Sequence, residues 1–316
     1  MQGSSVRIEP YTSAYKPAWD AFVTDSKNAT FLFYRDYMDY HADRFQDSSL
    51  LIYDENERLV ALFPASIKDT TVTSHAGLTY GGILSCNRMT AGRMLLIFTA
   101  VKQHYAKLGI SRMLYKAIPS FYATVPTGED LYALFIHNAT LIRRDITSTI
   151  FIPERLPFAK GKKYNLSKAR KAHITVRKTQ DYATFWEIET QVLKEHNAVP
   201  VHSLKEITSL AYAFPNNIQL FGAFIDDKMV AGIVVYQSRK TAHAQYMGAN
   251  ADGLQYGALD AIIAYLLDVE YKTYLYFDFG ISTEDGGKFL NQGLIAQKEM
   301  LGGRAATYDH YEMSIE

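Results

Sequence analysis

The strongest constraint on the fold of this chain is an order of helix and strand signals that occurs twice. In each half, the spacing of apolar residues predicts two helices, a hairpin, a strand, a loop, a long helix, a strand, a helix and a last strand. Few residues are identical between the halves, so the repeat lies in the order of the elements. Such a repeat indicates two tandem α/β (α+β) domains, each with a mixed, mainly antiparallel sheet flanked by helices.

The elements of the second half are the ones on which the candidate chemistry depends. Helices are predicted over Asp181–His196, Ser203–Phe214, Ala258–Tyr271 and Lys288–Leu301, and strands over Ile218–Ile225, Met229–Ser238, His243–Gly248, Tyr274–Gly280 and Ala305–Ser314. In the first half, we expect a helix over Tyr34–Arg44 and a strand over Leu78–Leu84.

A basic segment separates the two halves. Residues 156–172 include Lys160, Lys162, Lys163, Lys168, Arg170 and Lys171. We expect this segment to join an N-terminal domain of residues 1–155 to a C-terminal domain of residues 173–316. Two interpretations are open, because the charge suits a solvated connector as well as an arm that binds anions.

Composition excludes several classes of function. Lys and Arg together number 33, as do Asp and Glu, so no overall field draws the chain to nucleic acid or to an anionic membrane. Cys86 is the single cysteine, which excludes an intramolecular disulfide and a metal site built from several cysteines. The sequence has neither a signal-peptide pattern nor an apolar run of about 20 residues, so we expect a cytoplasmic protein. The sequence contains neither the HExxH motif of metalloproteases nor the Gly-x-Ser-x-Gly motif of serine hydrolases.

Three segments of the second half are candidates for a site. The first is the glycine-containing loop of residues 249–257, between a strand and a helix. Glycines and the N–H groups at the start of a helix suit a phosphate or pyrophosphate, although a tight strand-to-helix turn explains the glycines equally well. No Walker or dinucleotide-binding motif is present.

The second segment follows the predicted strand Tyr274–Gly280. Alternation along a strand puts Tyr276 and Asp278 on one face, with Asp278 expected near the carboxyl end of the strand, where open α/β sheets bind ligands. A carboxylate between two phenylalanines suits a general base, and Glu284 follows in the loop. The alternative is an Asp that caps the turn.

The third segment is the helix Lys288–Leu301. At helical spacing, Asn291, Leu294 and Lys298 share one face. A lysine beside an apolar residue on an inward face suggests an anionic partner, whereas a lysine that extends its charge to solvent is the plainer interpretation.

These segments together resemble a known family. The order of a basic joint, HAQYMGAN and GALD (residues 243–250 and 257–260), YFDFGIS (276–282) and LNQGLIAQKEMLGG (290–303) resembles the Fem-like branch of the GNAT acyltransferase superfamily. That branch includes aminoacyl transferases that build peptidoglycan cross-bridges. The resemblance implies two GNAT-like domains, no metal, and direct attack of an amine on an acyl donor that is held between two splayed strands. Those strands are expected to be His243–Gly248 and Tyr274–Gly280.

The resemblance also implies roles for particular residues. The catalytic candidates are Asp278 and Glu284, as bases for the amine, and Tyr246. The residues expected to bind the acyl-CoA (acetyl-CoA) co-substrate are Gln245, Met247, Gly248, Gly253, Gln255, Tyr256 and Gly257. Those expected to bind the acceptor are Lys163, Arg170, His202, Tyr276, Asn291 and Lys298.

We therefore predict an N-acyltransferase that moves an acyl group from a thioester, such as acyl-CoA, to an amine of a sugar or small metabolite. Synthesis of envelope polysaccharide or cell-wall precursors is a fitting context. The first alternative is a transferase that uses aminoacyl-tRNA, with tRNA bound by the basic segment. The second alternative is a non-catalytic binding protein on a degenerate GNAT scaffold, since a fold does not fix a function.

Overall fold

The computed structural model describes residues 5–195 and 198–315, and they divide into two compact units. The first unit comprises residues up to Asp145, together with Asp285–Lys288 and the segment from Thr307 onward. The second comprises Ile146–Glu284 and Phe289–Ala306. The C-terminal strand thus groups with the first unit, whereas we expected residues 173–316 to form one domain. The reason is its pairing: His310 lies opposite Lys116 and Met313 opposite Met113, in an antiparallel ladder.

The first unit contains short strands and four helices. Its strands are β1 Val6–Pro10, β2 Gln46–Asp47, β3 Leu50–Asp54, β4 Leu59–Phe63, β5 Ser66–Lys68, β6 Thr71–Thr73, β7 Leu84–Ser85 and β8 Arg112–Lys116, and its helices are α1 Lys16–Asp25, α2 Arg35–Met38, α3 Ala91–Lys107 and α4 Glu129–Ile136. Short 3₁₀ turns lie at Ser13–Tyr15, Phe31–Phe33, Asp39–His41, Ser120–Tyr122 and Asp285–Gly287. Strands β1, β3, β4 and β7 form one antiparallel sheet, and β8 pairs in parallel with β6.

Strand β9, Thr140–Phe151, belongs to the first unit up to Asp145 and to the second from Ile146. The remaining strands are β10 Thr175–Thr179, β11 Ile218–Ile225, β12 Lys228–Gln237, β13 Thr241–Ala249, β14 Tyr276–Ile281, β15 Thr283–Glu284, β16 Phe289–Leu290 and β17 Arg304–Ser314. The helices are α5 Lys160–Lys171, α6 Tyr182–Glu195, α7 Leu204–Ala213, α8 Ala251–Tyr256, α9 Ala258–Tyr265 and α10 Gln292–Met300, with a 3₁₀ turn at Ile152–Glu154 and a π-helical turn at Leu266–Glu270.

The sheet of the second unit is mixed. Strands β10, β11, β12 and β13 are antiparallel neighbours, β14 runs parallel to β13, and β9 is antiparallel to β14. One face packs on α9, because Ile233, Ala242 and Phe277 share a buried apolar cluster with Ile262. The other face packs on α6, since Phe185 lies against Gly232 of β12. Sheets flanked by helices in both units confirm the predicted α/β fold.

Several predicted elements differ in detail. The helix expected over Tyr34–Arg44 is only α2 and a 3₁₀ turn, and the strand expected over Leu78–Leu84 is reduced to β7. His196, the expected end of α6, lies outside the described residues. The basic segment is not an irregular connector, since most of it forms the three-turn helix α5. Among the described residues, no helix combines the length and the hydropathy needed to cross a bilayer.

Candidate active site

Strands β13 and β14 pair over three residues and then separate. Their parallel register joins Thr241 to Tyr276, Ala242 to Phe277 and His243 to Asp278, and ends there. Beyond this point β13 stays paired with β12 as far as Ala249, while β14 stays with β9 as far as Ile281. The two strands therefore enclose a wedge that opens toward their carboxyl ends, with His243 and Asp278 at its apex.

Irregularities in both strands accompany the wedge. In β13, Ala244 pairs with Val235 and Tyr246 with Val234, so Gln245 is an extra residue in a β-bulge. In β14, the register with β9 shifts between Asp278 and Ile281. Gly280 lies in this second irregularity with a φ of 76°, a conformation that glycine adopts without strain. Bulges bend strands and re-aim side chains, which fits a wedge whose walls diverge.

An Asp–His pair occupies the apex of the wedge. Asp278 is completely buried; its Oδ1 accepts hydrogen bonds from Thr147 Oγ1 at 2.5 Å and Thr149 Oγ1 at 3.0 Å. Its Oδ2 lies 2.7 Å from Nδ1 of His243, whose side chain is 14% exposed. An ionised carboxylate can only accept hydrogen bonds, so a His243 ring that donates to it from Nδ1 has the lone pair of Nε2 available as a proton acceptor.

This geometry corrects the placement predicted for Asp278. We expected its carboxylate to emerge near the end of the strand and to meet the substrate, but β13 and β9 enclose it from both sides. His243, which is partly exposed, is the group that can reach a ligand. Asp278 is therefore suited to orient His243 rather than to remove a proton itself.

Glu284 and Asn291 contact each other and not the Asp–His pair. Asn291 Nδ2 donates to Glu284 Oε1 at 2.9 Å, and both residues lie near the surface. Asn291 also caps α10, since its Oδ1 accepts a hydrogen bond from the Leu294 amide at 3.0 Å. These contacts give Asn291 a local structural role, and nothing in them activates Glu284 as a base.

Lys298 is buried and fully engaged with the chain around β14. Its ammonium donates to the carbonyls of Gly280 and Ile281, each at 2.8 Å, and to Ser282 Oγ at 2.9 Å. Burial lowers the pKa of Lys298 to about 8, against an opposing effect of the Asp278 charge. The sequence suggested either that Lys298 binds an anionic ligand or that it extends its charge to solvent. This arrangement matches neither interpretation, because the lysine holds the end of β14 in place.

Tyr246 and His202, assigned different roles from the sequence, are partners. The Tyr246 hydroxyl accepts a hydrogen bond from the His202 amide at 3.2 Å and lies 2.6 Å from its Nδ1. The Tyr246 ring also makes an edge contact with Trp186 of α6 at 4.9 Å between centroids. The pair therefore anchors the chain before α7 to the face of the sheet that α6 covers.

We expect Tyr246→Phe to act mainly on stability. Loss of the hydroxyl leaves the buried groups of His202 without this partner, which costs about 1–3 kcal/mol of unfolding free energy. Turnover per folded molecule is expected to fall less than when His243 is changed. Denaturant unfolding and kinetics on the same preparation test this, and a fold-intact variant with abolished turnover would instead make Tyr246 catalytic.

The segment expected to hold the pyrophosphate of CoA is not a loop. Residues 251–256 form α8, with Gln255 exposed and Tyr256 half-buried. Its glycines allow close packing: a Cβ on Gly253 would lie 2.2 Å from the Val230 carbonyl oxygen, and one on Gly257 would lie 2.8 Å from Cβ of Asn165. The structure thus favours the turn interpretation of these glycines.

Helix α5 covers the start of α9. Asp260, in the first turn of α9, is buried and accepts hydrogen bonds from Lys162 Nζ at 2.9 Å and Asn165 Nδ2 at 2.7 Å. The first turn of α9 thus already carries a buried negative charge, at the helix end where an anionic group would bind. This charge disfavours a pyrophosphate at the N-terminus of α9.

The remaining predicted residues lie in three places. Lys163 and Arg170 are exposed on the outer face of α5. Tyr276 is half-buried against the Phe151 ring, at 5.5 Å between centroids. Gln245 is the bulge residue of β13, whereas Met247 and Gly248 line a cleft of about 450 Å³ beside α6.

Sequence analysis missed two residues that the structure singles out. His243 has no local signal, because its partner Asp278 lies 35 residues away on a parallel strand. Glu189 of α6 did leave a signal, since it follows Tyr182, Phe185 and Trp186 at the spacing of a buried helical face. Among the described residues, no three His, Cys, Asp or Glu side chains are grouped in a way that would hold a metal ion.

Residues 159–286 match the model of the acetyltransferase (GNAT) domain. No curated protein sequence gives a significant match. The matched segment contains the wedge, the Asp–His pair and α5.

Solved structures extend the likeness to nearly the whole chain. FemX superposes with a TM-score of 0.70 over 97% of this chain and 96% of its own, at 10% identity. The C-terminal domain of a protein described as a lysylphosphatidylglycerol synthetase from Agrobacterium fabrum gives 0.61, with 96% and 92% covered at 12% identity. L-PGS of Bacillus licheniformis gives 0.59, with 87% and 90% covered at 9% identity. Residues 159–286 are thus similar to an acetyltransferase (GNAT) domain, and the chain as a whole shares its fold with FemX.

Proposed function

We propose that this protein transfers an acyl group to an amine in the wedge between β13 and β14, with His243 as the general base and Asp278 as the residue that orients it. The observation that carries the proposal is the 2.7 Å contact between His243 Nδ1 and Asp278 Oδ2 at the point where the strands separate. The contact leaves Nε2 of a partly exposed imidazole as the proton acceptor.

The reaction needs only the donor, the amine and these side chains. The amine nitrogen attacks the acyl carbonyl carbon, and a C–N bond forms while the bond from that carbon to the carrier sulfur or oxygen breaks. Nε2 of His243 takes a proton from the attacking nitrogen and returns one to the departing thiolate or alkoxide. Asp278 stabilises the imidazolium that exists between the two transfers.

The bulge in β13 offers a place for the acyl oxygen. Gln245 is the extra residue of the bulge, so its backbone groups are outside the regular hydrogen-bond ladder between β13 and β12. A backbone N–H directed at the developing oxyanion lowers the barrier of acyl transfer, and removal of one such donor typically costs about 10²–10³ in rate. We assign this role to the main chain around Gln245, next to the apex of the wedge.

Acyl-CoA is the donor that the sequence predicts, and a direct screen tests it. Purified protein is incubated with a panel of acyl-CoAs and amines, and the released thiol is measured with a chromogenic disulfide. Release that depends on both partners supports acyl-CoA as donor. Because Asp260 puts a buried carboxylate in the first turn of α9, we expect a bound CoA to place its pyrophosphate elsewhere.

The outer face of α5 favours a second candidate, transfer from aminoacyl-tRNA. Lys160, Lys163, Arg170 and Lys171 are exposed and share this face with Tyr164, which is 66% exposed, and the helix has no acidic residue. Basic side chains around an exposed aromatic ring suit a nucleic-acid backbone. The likeness to FemX and to proteins named for lysylphosphatidylglycerol synthesis is in keeping with this donor.

Replacing Lys160, Lys163, Arg170 and Lys171 with Gln tests the second candidate. If four phosphate contacts are lost, the slope of log K for tRNA binding against log salt concentration should decrease in magnitude by about 3. Filter binding or fluorescence anisotropy across a salt series gives the slope.

A matched control removes the same charge elsewhere. Lys68, Lys107, Lys205 and Lys228 are exposed and lie outside α5. The control variant should keep the wild-type slope. Equal slopes for wild type and the α5 variant would reject tRNA binding through this helix, and would leave the acyl-CoA assay to decide the donor.

A further inference from the structure

The carbonyl groups of Gly280 and Ile281 bond to a lysine side chain at the irregular end of β14. The register between β14 and β9 shifts between Asp278 and Ile281, so Gly280 lies outside the regular ladder. Lys298 Nζ, from α10, donates to both carbonyls at 2.8 Å and to Ser282 Oγ at 2.9 Å. An ammonium group has three N–H donors, and these contacts use all three. The irregular part of β14 is therefore held by one ammonium group.

Gly280 connects this segment to the proposed base. A Cβ added to Gly280 would lie 3.4 Å from Cε1 of His243 and 3.9 Å from the carbonyl oxygen of Ala244. Cε1 is the ring atom between Nδ1 and Nε2, so the main chain of Gly280 borders the imidazole beside the nitrogen that would accept the proton. A displacement of this part of β14 would therefore change the surroundings of the base.

The same ammonium acts on the Asp–His pair through its charge. Lys298 is 4% exposed, and the charge of the buried Asp278 favours its protonated form. The attraction is mutual, so the Lys298 charge stabilises the carboxylate that contacts His243. Water screens a pair of buried charges much less than a pair at the surface.

We propose that Lys298 is a positioning residue for acyl transfer: its ammonium fixes the main chain of Gly280 beside the His243 ring and stabilises the Asp278 carboxylate that orients the ring. The effect on catalysis rests on the proposed function, whereas the coupling between Lys298 and the imidazole does not. This role differs from the contact with substrate that the sequence suggested, because Lys298 acts through the chain of β14.

The charge of Lys298 changes within a pH range in which the enzyme can be assayed. Burial lowers the pKa of Lys298 to about 8, and the Asp278 charge opposes this effect. About a tenth of the side chain is then neutral at pH 7 and about nine-tenths at pH 9. A neutral amine has two N–H donors, so one of its three acceptors loses its hydrogen bond. The rate should therefore fall as the pH rises through 8, although a higher pH leaves more of the acceptor amine unprotonated.

The charged groups around Lys298 come from several segments. Strand β14 contributes Asp278, and β13 contributes His243, which contacts Asp278. Glu284 of β15 bonds to the cap of α10, Glu299 of α10 is exposed, and β9 contributes threonine hydroxyl groups. Asp278 is the group whose charge acts on the pKa of Lys298. A fall in rate near pH 8 should therefore respond to changes at Lys298 and not at Glu299.

Lys298→Met removes the charge and its three donors but keeps a long, unbranched side chain. The value of kcat should fall roughly tenfold to hundredfold with little change in KM, because the base is misplaced, and the fall in rate near pH 8 should disappear. Glu299→Gln, the next residue of the same helix, is the matched control and should keep both kcat and the pH profile. A folded Lys298→Met enzyme with the wild-type kcat or pH profile would overturn the proposal.

Ser282→Ala keeps the proposal testable if Lys298→Met does not fold. The substitution removes one acceptor of the ammonium and leaves both carbonyl contacts. Because the hydroxyl favours the charged form of Lys298, its loss should move the fall in rate to a lower pH. A pH profile identical to that of the wild type would contradict the proposal. Thermal unfolding at pH 7 and pH 9 shows whether each variant stays folded across the profile.

NMR of the free protein separates the coupling from the function. The Cε1–H resonance of His243 is assigned by its absence from the His243→Gln spectrum. It should shift as the pH passes 8, and Lys298→Met should remove this shift. If the resonance behaves in this way but no amine is acylated from any donor, the coupling stands and the proposed function fails. If amines are acylated while neither the rate nor the resonance responds to Lys298→Met, the transferase stands and the positioning role is rejected.

Discussion

A His243→Gln variant is expected to lose about 10²–10⁴ of its acyl-transfer rate, which corresponds to roughly 3–5.5 kcal/mol of transition-state stabilisation. Glutamine can still hydrogen-bond Asp278 but cannot take up a proton at neutral pH. Rates are measured at saturating donor with the amine varied, so that a loss in kcat is separated from a change in KM. The loss should fall on kcat, because His243 acts during proton transfer.

Asp278→Asn should be impaired for a different reason. Both threonine hydroxyls donate to Oδ1 of Asp278, and His243 contacts Oδ2. In the variant, the amide oxygen would stay with the threonines and the NH₂ group would face Nδ1 of His243. The imidazole would then carry its proton on Nε2, the nitrogen that has to accept a proton from the amine. Activity should therefore fall although Asn has nearly the same shape as Asp.

Two measurements distinguish a catalytic effect of His243→Gln from a failure of the variant to fold. His104→Gln, on α3 of the first unit, changes the same residue type far from the wedge in sequence and should keep full activity. Thermal unfolding of each variant shows whether the loss belongs to the folded protein. A folded His243→Gln enzyme with the wild-type rate would reject His243 as the base.

Local patterns predicted the elements of the second unit well, because they depend on residues close in sequence. Strand β13 was expected over His243–Gly248 and is Thr241–Ala249, and helix α7 was expected over Ser203–Phe214 and is Leu204–Ala213. These boundaries follow from alternation of apolar residues and from a capping box at Ser203 and Glu206.

Pairings between distant segments could not be predicted in the same way. Alternation shows which face of a strand is apolar but not which strand is its neighbour. The pairing of β17 with β8 therefore could not be predicted from the sequence. The same limit hid the Asp–His pair, which requires a parallel register that no residue near His243 specifies. Asp278 was singled out because its flanking phenylalanines are a local signal, whereas its burial could not be predicted because the pairing with β9 is not local.

The glycine segment before α9 is where the two interpretations of the sequence make opposite predictions. Gly257→Ala should lower the free energy of unfolding by about 2–4 kcal/mol. Gly257 has a φ of 71°, where alanine is strained by about 1 kcal/mol, and the added Cβ would lie 2.8 Å from Cβ and 2.9 Å from the carbonyl oxygen of Asn165. Relief of that overlap must move α5, and overpacking of this kind typically costs about 1–3 kcal/mol.

The matched control is Gly161→Ala in α5, close to the same contact. Gly161 is the second residue of the helix, and an added Cβ there would meet no atom within 4 Å apart from its chain neighbours and the backbone of the helix itself. Alanine should stabilise the helix there by roughly 0.5–1 kcal/mol, so the two substitutions should change stability in opposite directions. Denaturant unfolding measures both. If Gly257→Ala instead kept the wild-type stability and weakened the binding of CoA, the glycine would serve a phosphate, and α5 would have to move away from α9 for the donor to bind.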